Sequence, residues 1–425
     1  MSVLSDRLRG IVRPAASAPV ISTPAVDPND VSETLGGSWV ESQGQRYLLV
    51  DRTYGPGHRH GRIAMMDALP PWPRLSLLGG GDASRLVFVD VETTGLAGGA
   101  GTYAFLIGCG WFDGPVFRVR QFFLSAFSAE AALLGGVAEV ADAATGVVTF
   151  NGKSFDLPLI ETRFAFHRME TPFAGLPHVD MLHSARRLWR GNDEETGAAA
   201  SCKLGVLEEG ICGVAREGDV PGFEIPSRYF HYVRSGDARP LGAVLEHNRL
   251  DLVSLALLTA RASQLLEEGA GSARTAREAL GLGRLYERGE LHDAARDAFA
   301  RAVDLPADAT THAEALRSHA VLCRRLRQYP QAAASWQRLI ALRNCPARLE
   351  REATEALAVH HEHRLRDPRA ARTFALQSLR LEATRSRQNA VQHRLARLDR
   401  KLQYAAERDR TRWLFGCDEY AAESA

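Results

Sequence analysis

Residues 86–96, LVFVDVETTGL, place Asp90 and Glu92 two apart in a run of β-forming residues. In a strand such residues share one face, while Val89 and Val91 turn to the other. Two carboxylates that close repel each other, and both stay ionised only with a cation or proton between them. A divalent metal meets that need, and hard oxygen donors select Mg²⁺ or Mn²⁺. A D-x-E pair is common, however, and alone more often describes a solvated edge strand. Further carboxylates add weight. Asp156 opens a helix-forming stretch after the apolar GVVTFNG, and Asp251 lies in the periodic segment LGAVLEHNRLDLVSLALL. His247 precedes Asp251 by one helical turn, on the same face. Each has an ordinary alternative: a helix cap for Asp156, solvated helix positions for Asp251 and His247. Together they run D-x-E, N-x4-D, H-x3-D, each on an element able to aim it at a common centre.

The elements that must position them follow from the pattern around them. LVFVDVE, YAFLIGCGWF and VFRVRQFFL are three β-rich runs separated by turn-forming GGAG and FDGP, which predicts an antiparallel meander. SAEAALLGGVAEVADA is helical. GVVTFNG is a further strand leading into the helix FDLPLIETRFAFHRM, and LPHVDML is a strand before the helix HSARRLWRG. A loop-rich span, 191–242, ends in a long helix through His247 and Asp251. Upstream, 1–13 is a short helix, 14–36 a Pro/Ala/Ser-rich flexible linker, and SWVESQGQRYLLVDRTYG a hairpin. A meander followed by alternating strands and helices is an α/β arrangement.

These motifs resemble the DEDD superfamily of 3′–5′ exonucleases and, within it, the YprB-type ribonuclease H-like group. The resemblance is carried by DVETTGLAGGAGTYAFLIG, FNGKSFDLPLIETR and DVPGFEIPSRYFHYVRSGDARPLGAVLEHNRLDLVSLALL, and covers residues 45–265. It implies a ribonuclease H-like α/β fold, a mixed central sheet with flanking helices. Asp90, Glu92, Asp156 and Asp251 would hold two divalent ions, Mg²⁺ or Mn²⁺, and His247 would be the general base. One ion would convert water to hydroxide and the other would stabilise the leaving 3′ oxygen of a nucleic-acid strand. Thr93, Thr94, Gly95 and Leu96 would line the terminal-nucleotide pocket; Asn151, Lys153 and Phe155 are candidates for the phosphate or base. One departure stands out. The superfamily's base is a Tyr with three residues between it and the last Asp, or a His with four. His247 joins the His identity to the Tyr spacing, which leaves open whether it abstracts a proton or orients water.

The 425 residues are 45% hydrophobic and 24% charged. That suits two or three globular domains and excludes a disordered chain, a collagen-like fibre or a disulfide miniprotein. No apolar run approaches the roughly 18 residues of a membrane span, and MSVLSDRLRGIVRP lacks the apolar core of a secretory signal. Six scattered cysteines without a CxxC pair fit a reduced, cytoplasmic setting. The net charge of +1 hides a partition: +11 over residues 311–410 against −8 over 1–310. A basic face attracts polyanions, although a solvated Arg-rich helical surface has the same composition.

After GAGSA at 269–273 the chain reads as all-α. Leu282, Gly283, Tyr286, Ala295, Phe299 and Ala302 sit at the spacings of a tetratricopeptide helical hairpin, with further copies on Trp336 and Phe374. The expected organisation is a flexible segment 1–36, a small β-rich extension 37–84, a ribonuclease H-like exonuclease domain 85–268, a tetratricopeptide-like domain 274–405 and a tail 406–425. The partners implied are a single strand or 3′ end of nucleic acid and, through the repeats, a protein. The competing function is an inactive nucleic-acid-binding scaffold, which would be expected to lack one of the four carboxylates. AGGAGTY lacks the GK[ST] ending of a phosphate loop, and HHEH at 360–363 is expected on a solvated helix face.

Overall fold

In the computed structural model, Gln43 and Gly44 both take positive φ, 53° and 73°, the geometry that closes a two-residue turn with the twist of its flanking strands. They join β1 (Ser38–Ser42) to β2 (Gln45–Tyr54) as the expected hairpin. The structure describes residues 28–81, 84–95, 101–191, 201–343, 345–381 and 385–415. The helix expected at 1–13, the linker as far as residue 27, Leu96 and residues 416–425 of the tail lie outside them.

The chain forms two compact units. The first comprises Met1–Leu69, Ser84–Leu176 and Cys212–Ala256; the second comprises Pro70–Ala83, Pro177–Ile211 and Leu257–Ala425. Besides the short pair β3 (Arg59–His60) and β4 (Ile63–Ala64), the described strands of the first unit build a mixed central sheet. β5 (Leu86–Thr93), β6 (Ala104–Asp113) and β7 (Val116–Phe123) are the anticipated meander, and β8 (Gly146–Thr149) runs parallel to β5. Within the first unit the order is β1-β2-β7-β6-β5-β8. β5 therefore has a partner on each side, and its buried Val87, Phe88 and Val89 are packed on both faces. Helices Glu130–Ala141 and Asp156–Phe166 flank the sheet. The second unit carries β9 (His178–Asp180).

Two segments differ from the sequence expectation. Residues 28–35, expected within the flexible linker, form the helix Pro28–Leu35. Val31 and Leu35, four apart, give it an apolar stripe that is buried in the core, which a linker composition alone does not reveal. Likewise the span 191–242 contains the helix Ile225–Ser235. Tyr229 anchors it, stacked on Phe105 at 4.2 Å with its hydroxyl donating to Leu124 O.

In the second unit, Asp180 caps the helix Met181–Leu188, its carboxylate accepting from Leu182 N–H. Beyond it lies a run of packed helices: Ala276–Arg288 with His292–Asp304, Ala309–Arg325 with Tyr329–Ile340, and Ala347–His360 with Pro368–Leu381, followed by Arg385–Phe415. A Cβ on Gly283 would lie 2.4 Å from the Phe299 ring, so the bare backbone is what lets that first pair close. Within HHEH one residue departs from the expected solvated face: Glu362 is buried and bound by Arg397 and Lys401, while His363 is exposed. Among the described residues no helix is long and apolar enough to cross a membrane.

Candidate active site

Asp90 and Glu92 leave the same side of β5, with Val91 buried between them. The register against β6 slips between Glu92 and Thr93, so the strand is bulged where the carboxylates end. Asp156 sits in the first turn of its helix, and His247 and Asp251 lie one turn apart on the helix Gly242–Glu268. Three separate elements thus bring the four carboxylates into one electrostatic neighbourhood. Burial holds the Asp90 carboxyl well above the usual carboxylate range, with the charges of Asp251, Glu92 and Asp156 adding to it. Glu92 is pushed up to about 7, first by burial, against which His247 works, and further by Asp251 and Asp156. Asp251 is raised by burial and restrained by Arg216 and His247.

Asp90 is held by a residue the sequence motifs did not single out. Asn248 Nδ2 donates to Asp90 Oδ2 at 2.8 Å and to the Asp90 backbone oxygen at 3.1 Å. The amide of Gln121 on β7 donates to Asn248 Oδ1 at 2.8 Å and to Leu245 O at 2.7 Å, fixing which end of Asn248 faces Asp90. Gly108 lies directly opposite Asp90 across the β5–β6 ladder. A Cβ there would sit 2.3 Å from Asn248 Oδ1, so only glycine leaves room for the amide to reach the strand.

His247 belongs to a second set of contacts. Its Nδ1 lies 2.7 Å from Asp219 Oδ1 and its Nε2 3.6 Å from Asp251 Oδ2. Arg216 closes the circuit, with Nη2 2.7 Å from Asp251 Oδ1 and Nη1 3.2 Å from Asp219 Oδ2. Burial alone would lower the His247 pKa, but Asp251, the hydrogen bond to Asp219 and Glu92 raise it. Asp219 opens the DVPGFEIPSR block, so its place in a distinctive motif was visible although its function was not. Arg216, in the irregular stretch before it, carried no signal.

The donors suit a hard divalent cation. They are carboxylate oxygens, and Asp90 and Glu92 are pushed toward protonation in part by the others, a cost that a cation between them removes. Among the described residues, no three His, Cys, Asp or Glu side chains stand in a finished metal cage; Asp251 is turned to Arg216 instead.

Around this centre, Thr94 is bracketed by Tyr103: its N–H donates to Tyr103 O, and its Oγ1 accepts from Tyr103 N–H. Thr93 Oγ1 donates to Gly95 O, which folds the TTG segment on itself. Leu96 is outside the described residues. Asn151 holds a left-handed φ of 69° in the turn between β8 and the Asp156 helix. In that turn Lys153 is exposed, and Phe155 is 57% exposed immediately before Asp156.

A family model described as the RNase_H superfamily matches residues 87–263. The chain is 29% identical over 365 residues to the uncharacterized protein YprB of Bacillus subtilis (strain 168), a match covering 83% of this chain and 86% of that protein. Among solved structures it is similar to the family B DNA polymerase from the hyperthermophilic archaeon Pyrobaculum calidifontis, with a TM-score of 0.34 and 12% identity. That match covers 57% of this chain and 29% of the polymerase, so the chain spans under a third of its length.

Proposed function

We propose that this chain, whose residues 87–263 form an RNase H superfamily domain, is a metal-dependent nuclease that removes nucleotides from the 3′ end of DNA or RNA. The observation that carries the reading is the convergence of Asp90, Glu92, Asp156 and Asp251, whose mutual repulsion is built into the fold and supported by a dedicated amide. Those four would hold two divalent ions, Mg²⁺ or Mn²⁺. Bound there, the ions supply an activated water and charge stabilisation for the leaving oxygen.

The protein's own groups have separate tasks. Asn248 orients the Asp90 carboxylate. Asp219 accepts from His247 Nδ1–H, which fixes the ring and leaves Nε2 as its basic nitrogen. A ring held that way can take a proton from water near neutral pH. Thr93, Thr94, Gly95 and Leu96 are assigned to the terminal nucleotide. The exposed Phe155 offers a stacking face for a base, with Asn151 and Lys153 beside it for phosphate. The helical region, read as tetratricopeptide-like, supplies a basic surface for the strand or a protein partner.

The test uses single-stranded DNA and RNA oligonucleotides labelled at the 5′ end or the 3′ end, incubated with Mn²⁺. A 5′-labelled strand should shorten stepwise, and a 3′-labelled strand should release its label as a mononucleotide at once. Internal fragments, or release of the 5′ label first, would refute the 3′–5′ assignment.

A further inference from the structure

Arg216 stands where a cation would be wanted. Its side chain is only 9% exposed, and its guanidinium bridges Asp251 and Asp219. The contacts form a closed ring: Arg216 to Asp251, Asp251 to His247, His247 to Asp219, and Asp219 back to Arg216. Every carboxylate oxygen of Asp219 and Asp251 faces a nitrogen in that ring. Asp251 is the carboxylate whose helix also carries the Asp90 clamp, so a partner on Asp251 acts at the centre of the cluster. Arg216 itself lies outside any helix or strand, in a stretch bounded by Gly213 and Gly218, both at left-handed φ (75° and 70°). Such a segment can change course at two points without disturbing the helices on either side.

We propose that Arg216 is an internal counter-ion that competes with divalent metal for Asp251. It neutralises the carboxylate cluster while no metal is bound, and it yields Asp251 when a cation enters, keeping its hold on Asp219. Buried carboxylates without any cation would be costly to the fold, and one guanidinium offsets part of that repulsion. The consequence is a trade: Arg216 stabilises the metal-free protein and weakens metal binding by the same contact. Metal affinity is then set by a residue that is not a metal ligand. The inference rests on the metal-site reading given above.

The test is a calorimetric titration of the full chain with MnCl₂, comparing wild type with Arg216→Ala and Arg216→Gln. Removing a competing charge at salt-bridge distance should tighten Mn²⁺ binding about tenfold in both variants, and Arg216→Lys should stay near wild type. In an Asp251→Asn background the effect of Arg216→Ala should vanish, since the competition has lost its object. Thermal midpoints read the other half of the trade. Without metal, Arg216→Gln should melt below wild type, and saturating Mn²⁺ should close most of the gap. Equal or weaker Mn²⁺ binding by Arg216→Ala and Arg216→Gln, with wild type binding normally, overturns the role of Arg216 alone. A wild type that binds no Mn²⁺ overturns the metal site itself. Arg216→Gln covers the case in which the alanine variant does not fold.

Discussion

Asn248 carries no charge and sits between His247 and Arg249, which draw the eye in EHNRLD, yet it makes the one side-chain hydrogen bond described to Asp90. The carboxylates and the histidine were legible because their types and spacing have a chemical reason to recur. Asn248, Asp219 and Arg216 were not, because their parts depend on contacts between elements far apart in the chain. Asn248→Ala leaves the Asp90 carboxylate unaimed and Gln121 without one of its two acceptors. Loss of such a supporting contact typically costs 10–100-fold in activity or metal affinity, and about that loss of nuclease rate is expected. Urea unfolding should also show a loss of about 1–3 kcal/mol for the one Gln121 N–H left unsatisfied. Gly108→Ala reaches the same amide from the opposite strand. Its Cβ would crowd Asn248 and Leu252, so it should destabilise by about 1–3 kcal/mol and lower the rate with it.

Helices Glu130–Ala141 and Asp156–Phe166 are joined by a pair no periodicity argument anticipates. Arg163 Nε lies 2.6 Å from Glu130 Oε1, with Arg163 fully buried and Glu130 2% exposed. The Arg163 guanidinium also covers the Tyr103 ring at 4.4 Å, and Tyr103 brackets Thr94. The helix that delivers Asp156 is thereby tied to the segment assigned to the terminal nucleotide. Removing one partner of a buried ion pair strands the other, so Glu130→Ala should cost about 3–5 kcal/mol in denaturant unfolding. Gly135→Ala, in the same helix with open space around its Cβ, should be neutral or stabilising by up to about 1 kcal/mol. At this scale the strands were the legible part, since alternation and turn residues declare them. The helices Pro28–Leu35 and Ile225–Ser235 were missed because each is short and anchored by a few buried side chains, Val31 and Leu35 in one, Tyr229 in the other.

Across the whole chain, the division into an acidic and a basic part was plain from residue counts, but what the arginines do was not. Arg317 pairs with Glu352, Arg372 with Asp399, and Arg394 and Arg397 turn to Glu362, so part of the positive charge is spent within the helical region. Glu362 is held down to about 2, first by its hydrogen bond to Arg397, against some burial, and then by Lys401. A carboxylate whose pKa is lowered on folding contributes stability above its unfolded value and loses it as pH falls through the folded one. The stability gap between wild type and Glu362→Gln should therefore be about 1–2 kcal/mol at neutral pH, since the half-exposed Arg397 and Lys401 are screened by solvent. It should shrink from pH 4.5 downward and close near pH 2, as read by urea unfolding at each pH. A gap that does not change with pH would mean Glu362 acts by packing rather than by charge. The central claim is that Asp90 and its neighbours use bound metal to hydrolyse a nucleic-acid strand, and one comparison tests it most directly: release of nucleotides from a single-stranded oligonucleotide by wild type and by Asp90→Asn, each with Mn²⁺ and with EDTA. Release only by wild type with Mn²⁺ is the expected result, whereas equal release by Asp90→Asn, or by wild type in EDTA, would contradict the account.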